Sequence, residues 1–292
     1  MRLRKIATAA LAVLLVGCSV APSEPPPPEL DFTQPQAAQQ MVTQLIEKIG
    51  SQQVIMVEIR TDQVTVSAIK DERPVTWAYR DRKLAEVPSD LAYVDQATFN
   101  IADFNIADVG AVFRAAAGVS GSEENQILQI VDYSGGQVMM SVATNPESRT
   151  VFFTPAGALL EDLDFATIGG LTRGLADVSH NLYLALTVNI DSKRGIWIDY
   201  PAGAKGSIVR RQRAAAVPVT TMIRTEDTKL KSFDPKRISL TAIWTVVHSN
   251  RKTPVSQWSV VIEDSGQPSG PRMSFTIDGQ TLTTNLLGVT IT

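Results

Sequence analysis

Four stretches of the chain share one spacing, and that spacing limits the folds open to it. Val42-Leu45-Ile46-Ile49, Val109-Val112-Phe113-Ala116, Ile168-Leu171-Thr172-Leu175 and Leu240-Ile243-Trp244-Val247 each place residues at i, i+3, i+4 and i+7. This is the stripe of a helix that buries one face. Thr172 interrupts the third stripe, and Gly169, Gly170 and Gly174 lower its helix propensity. Phe104-Asn105 and Phe233-Asp234 precede two of the helices and read as entry residues with an N-cap nearby.

Strand-like runs follow each helix. Val54 to Arg60, Val64 to Ile69 and Val75 to Tyr79 follow the first, and Ile127 to Tyr133, Val138 to Thr144 and Thr150 to Thr154 the second. Leu182 to Ile190 and Gly195 to Tyr200 follow the third, and Val255 to Glu263 and Arg272 to Ile277 the fourth. The gaps Thr61-Asp62-Gln63 and Ser134-Gly135-Gly136 have turn chemistry, so the runs predict antiparallel hairpins. Closer matches point to duplication. Gln63-Val64 with Ser67 corresponds to Gln137-Val138 with Ser141, and Pro155-Ala156-Gly157 to Pro201-Ala202-Gly203. Helix-to-helix offsets of 67, 59 and 72 residues (109 − 42, 168 − 109, 240 − 168) are too long for a solenoid repeat and suit an α-β-β or α-β-β-β unit. The expected fold is α+β: repeated α-β-β(-β) units, with antiparallel sheets and helices packed on one face.

The N-terminus carries a different signal. Arg2, Arg4 and Lys5 precede an apolar run, Ile6 to Val16, that stops at Leu15-Val16-Gly17-Cys18. The run is about 11 residues, where a bilayer span needs roughly 20, so it reads as an export signal. A short apolar segment ending in a small residue and Cys resembles the lipobox of bacterial lipoproteins. That resemblance implies that Cys18 is diacylglycerylated and becomes the first residue of the mature chain. It places the protein on the cell membrane or outer membrane, lipid-anchored and facing outside the cytoplasm. Two acyl chains suffice for stable anchoring where one does not. Val20 to Gln40, with Pro22, Pro25 to Pro28 and Pro35, reads as a semi-rigid tether. The chain therefore divides into a signal (1–17), a lipidated Cys and tether (18–35), two α-β-β-β units (36–164) and two more divergent α-β-β units (165–292).

Composition narrows the partners. Of 27 basic residues, three leave with the signal, so 24 face 30 acidic ones, a net charge of −6. Such a chain gains little from phosphate contacts, and no nucleic-acid partner is expected. Cys18 is the only cysteine, so the mature protein is held together without disulfides.

A search for chemistry yields little. His180 and His248 follow proposed helices and have no ligand at metal spacing, so neither a metal nor a cofactor is expected. There is no nucleophile elbow and no glycine-rich phosphate loop. Glu161-Asp162 with Asp164, and Glu123-Glu124, read as solvated loops. Asp103 and Asp108 arise from the local repeat Phe99-Asn100-Ile101-Ala102-Asp103, Phe104 to Asp108, which explains them without a metal. One basic segment remains, Arg210-Arg211-Gln212-Arg213 after Lys205; Arg210, Arg211 and Arg213 are candidates for contact with headgroups or an acidic partner, against the plainer reading of an exposed strand or helix face.

The unit order and hydrophobic rhythm from residue 36 onward resemble the PepSY and beta-lactamase-inhibitor-like modules of actinobacterial lipoproteins. A second resemblance is to half-barrel lipoproteins that carry lipids. The absent catalytic residues, the stalk and the repeated rhythm point to a non-catalytic binding or interaction module that recognises another envelope protein. The membrane tether and a 44% hydrophobic chain point to the alternative, a carrier of a lipid or other hydrophobic ligand, which a cavity lined by Met139, Met140 and the helix faces would support.

Overall fold

The structure is a computed structural model that describes residues 29–88, 96–134, 136–144, 149–203 and 206–291. Cys18, the signal and most of the tether lie outside the described residues, as does Lys205.

The first half runs α1 (Ala37–Ile49), β1 (Val54–Ile59), β2 (Val64–Lys70), β3 (Arg73–Arg80), β4 (Lys83–Val87), α2 (Val109–Ser120), β5 (Ile127–Ser134), β6 (Gln137–Ala143) and β7 (Val151–Phe153). The second runs α3 (Ile168–Ser179), β8 (Thr187–Asp191), β9 (Gly195–Pro201), β10 (Ser207–Ala214), β11 (Val217–Thr225), α4 (Leu240–Asn250), β12 (Trp258–Glu263), β13 (Arg272–Ile277) and β14 (Gln280–Asn285). A single 3-10 turn precedes α2 and another precedes α4. The strands form two seven-stranded sheets, ordered β4-β3-β2-β1-β5-β6-β7 and β11-β10-β9-β8-β12-β13-β14, with every pairing antiparallel. The protein is thus α+β and mostly sheet.

Alternation decides what each sheet buries. In the first, Val57, Ile59, Val64, Val66, Leu128, Ile130, Met140 and Val142 gather with Val42, Leu45 and Ile46 of α1 and Val112 and Phe113 of α2 in one buried cluster. In the second, Val188, Ile190, Ile196, Ile198, Val260 and Phe275 gather with Leu171 and Val178 of α3 and Ile243 and Val247 of α4. Side chains cap three helices: Asp108 accepts from Ala111 N (2.8 Å), Thr167 from Gly170 N (3.1 Å) and Ser239 from Ala242 N (3.2 Å). Two of the three glycines of α3, Gly170 and Gly174, have a packing reason, whereas Gly169 faces open space. A Cβ on Gly174 would lie 2.6 Å from the Phe165 ring, so only glycine lets that ring against the helix.

All four expected helices are present, and the strands exceed expectation. The sequence reading omits β4, β10, β11 and β14, so α1 and α3 are each followed by four strands, and α2 and α4 by three. Leu182 to Ile190 is strand only from Thr187, its earlier part being irregular apart from the Ala185 bridge to Phe233, and Val255 to Glu263 only from Trp258, where a turn ends at Val255. The chain also joins the fold earlier than residue 36. Phe32 is fully buried, its N–H donates to Thr61 O (2.8 Å), and its ring meets Tyr79 edge-on at 5.4 Å. A Cβ on Gly110 of α2 would stand 2.5 Å from Thr33 O, so that glycine admits the incoming segment. At the other boundary, Leu160 N still bonds Phe152 O of β7, whereas Leu163 already belongs to the second core.

Candidate functional site

The basic segment forms β10, and strand alternation splits it between two faces. Arg210 lies on the face opposite the second core, beside Asp199 of β9 and Arg224 of β11. Arg210 donates to both Asp199 oxygens (2.8 and 2.9 Å), as does Arg224 (3.1 and 3.0 Å). Burial alone would raise the Asp199 pKa, but these charged hydrogen bonds outweigh it and hold the carboxyl at about 2. The Arg194 and Arg210 guanidinium carbons each stand 5.6 Å from the Trp197 ring centroid.

Arg211 and Arg213 point to the core side. Arg211 donates to His180 O (2.8 Å) and Asp177 O (3.0 Å), the terminal carbonyls of α3. Arg213 is 1% exposed and donates to the Asp177 carboxylate (3.2 Å), to Glu161 O (2.7 Å) and Ala215 O (2.9 Å), and to the Ala214 and Val217 carbonyls. Burial lowers its pKa and the Asp177 carboxylate partly offsets this. The three arginines therefore do not form one patch. Arg213 is a buried cross-link that joins Asp177 and Glu161 to its own turn at residues 214–217. Arg211 and Arg213, with His180, Pro218 and Val219, line a hollow of about 440 Å³.

The other candidates serve local structure. His180 caps α3, and His248 Nδ1 lies 2.9 Å from an Arg251 nitrogen. Glu161 pairs with Arg173 (3.2 Å) and Asp162 with Arg149 (2.7 Å), while Asp164 accepts from Ala166 N (2.8 Å). Asp108 caps α2. Among the described residues no three His, Cys, Asp or Glu side chains are placed to hold a metal ion. Met140 is part of the first core, whereas Met139, its neighbour on β6, falls outside that cluster and is also buried.

The site that sequence reasoning missed is a pair of polar clefts. In the second sheet, Asp191, Ser259 and Thr276 are cross-strand neighbours on β8, β12 and β13. They floor an open cleft of about 620 Å³ whose walls are the α4–β12 loop, with Thr253, Ser256 and Gln257, and the β13–β14 turn at Asp278-Gly279. The walls are tied together: Asp278 Oδ2 accepts from Lys252 N (2.9 Å) and Ser256 Oγ (2.8 Å). These bonds lower the Asp278 pKa, the Lys252 N–H foremost. The floor is tied as well, since Trp258 N donates to Ser192 Oγ (3.2 Å) and Ser192 N to Trp258 O (3.0 Å). For Asp191, burial works to raise the pKa, but the Arg194 and Lys193 N–H groups and the Arg194 side chain together bring it below its ordinary value.

The first sheet has a cleft beside its own helix-to-strand loop, between α2 and β5, with Glu123, Asn125 and Gln126. Its other wall differs, being the β1–β2 turn, Arg60 to Gln63, where the second sheet uses its β13–β14 turn; it encloses about 490 Å³. The sequence signal for the second cleft was present, in Ser/Thr/Pro-rich residues 253–256 and an Asp-Gly turn closing a strand. What the sequence hides is the register that brings Asp191, Ser259 and Thr276 into one row. No family profile matches the chain, and no curated protein sequence matches it either.

Proposed function

We propose that this chain is a membrane-tethered, non-catalytic binding module of the bacterial cell envelope. It is held by a lipid on Cys18 and built from duplicated α-β-β(-β) units whose helices lie on one face of each sheet. The observation that carries this reading is where the polar and apolar groups fall. The apolar side chains of helices and strands meet each other in two cores, while both clefts open outward and offer hydroxyl, amide and carboxylate groups. The common strand order of the sheets supports duplication, as do matching features such as the Val54–Phe99 and Ala185–Phe233 bridges ahead of each 3-10 turn. Large apolar side chains exposed at one end of the second sheet, among them Tyr183, Leu184, Met222 and Ile223, suit contact with another envelope component.

The test is a ligand count. The chain from Ser19 onward, secreted without its anchor and purified without detergent, is extracted with organic solvent and its lipid counted by mass spectrometry. The expected result is no lipid. One lipid per protein would replace the binding module with a carrier. A Cys18→Ala variant should leave the membrane fraction; continued partition into detergent would remove the anchor from the proposal.

A further inference from the structure

We infer that the cleft between the α4–β12 loop and the β13–β14 turn binds a neutral, hydroxyl-bearing ligand, a saccharide. This rests on the binding-module reading and names its ligand class. The lining decides among chemistries. An apolar ligand would strip water from Ser259, Thr276, Gln257 and Asp278 and give back no hydrogen bonds. An anion would sit against two carboxylates, Asp191 and Asp278, whose pKa values are both lowered. A cation would find their charge already engaged, Asp191 by Arg194 (3.0 Å) and by main-chain N–H groups, Asp278 by Lys252 N and Ser256 Oγ.

A sugar needs groups that donate and accept side by side, on a frame that is already fixed. Thr253, Ser259 and Thr276 supply hydroxyls, Gln257 an amide and Asp278 a second carboxylate oxygen, on a floor and walls locked by the bonds described above. The cleft's 620 Å³ falls within the range of ligand sites, roughly 300–1,000 Å³, and it is open to solvent, which leaves room for further sugars beyond it.

The experiment uses the full chain in a detergent without a sugar headgroup, applied to an array of neutral and charged oligosaccharides, with titration of whichever are retained. The expected result is retention of neutral glycans, with affinity falling about tenfold in Thr276→Val and again in Ser259→Ala. Both are partly exposed strand positions where the fold tolerates the change, and circular dichroism checks this. Glu47→Ala, on the exposed side of α1 and away from both clefts, should leave the affinity unchanged. The inference is overturned by retention of charged glycans alone, by neutral binding that Thr276→Val and Ser259→Ala do not weaken, or by no glycan binding at millimolar concentration. In that last case crosslinking to an envelope protein would keep the binding module without the saccharide, whereas a stoichiometric lipid would remove both.

Discussion

The two sheets share a strand order and differ in the face turned away from the core. Across the first, one row of cross-strand neighbours reads Val87, Thr76, Ser67, Met56, Val131, Met139. It carries no charge, and its one hydroxyl pair, Ser67 Oγ to Thr76 Oγ1 at 2.7 Å, is buried. Across the second, a row reads Met222, Arg210, Asp199, Thr187, Glu263, Arg272, Asn285. That row is polar and charged, and its centre is a carboxylate held by two guanidiniums. The lesson is that one alternate set of strand residues suffices to specify the topology, which leaves the other set free to become either a second buried layer or a charged surface.

Two cores sharing one order of elements should respond separately to damage, and that can be tested from the largest effect downward. Phe32→Ala should cost the first unit about 4 kcal/mol, since it empties a fully buried ring site. Hydrogen exchange read by mass spectrometry should then quicken in β1–β3 and leave β8–β10 unchanged; equal quickening in both would show the sheets to be one cooperative body. Arg213→Met is the mirror experiment. It leaves the Asp177 carboxylate and several carbonyls without their donor, at a cost of about 3 kcal/mol, and the faster exchange should fall in β9, β10 and α3.

Acid should also discriminate between the units. The Asp199 pKa is about 2 in the folded protein against an ordinary 3.8, so this carboxylate adds stability above about pH 4 and loses it as pH falls towards 2. The amount is about 2 kcal/mol, assigned to the second unit. Denaturant melts at pH 5 and pH 2 should show this slope in the native chain and a flatter one in Asp199→Asn. In the first unit the corresponding polar contact is uncharged. Thr76→Val should cost about 1 kcal/mol by stranding Ser67, and adding Ser67→Ala should recover most of it. A double variant as unstable as the single one would mean the hydroxyls matter through packing. Smallest of all, Gln137→Ala should cost about 0.5–1 kcal/mol. Its side chain accepts from Thr221 N (2.8 Å) and donates to Thr221 Oγ1 (3.1 Å), joining β6 to β11, so exchange should quicken at the Thr221 amide alone.

Much of this fold is legible in the sequence, and what is missed follows a physical pattern. The four helices and ten of the strands carry their own signal, because residues that face a core repeat at the period of their element. Three of the four omitted strands, β4, β11 and β14, are at sheet edges, where less of the strand is buried and alternation fades. The fourth, β10, is hidden by its arginines. Arg210 and Arg213 are acceptable in a strand only because Asp199 and Asp177 arrive from other elements, a complement no local window contains. The same holds for the cleft. Thr253 to Gln257 and Asp278-Gly279 read as turns, and only the pairing of β8, β12 and β13 sets Asp191, Ser259 and Thr276 side by side.

The burial of Phe32 also has a mechanical side. The chain reaches the first sheet at the end where β3 turns into β4, with Glu29 paired to Arg82 (3.2 Å) and Phe32 hydrogen-bonded to the β1–β2 turn. A pull applied from the N-terminal side is therefore borne first by these few contacts and by the edge-on ring of Tyr79. They form a short clamp that ties the entering chain to the first core. On the proposed lipid anchor, tension would reach the fold first at residues 29–36, so the ring that closes the first core would also carry the load.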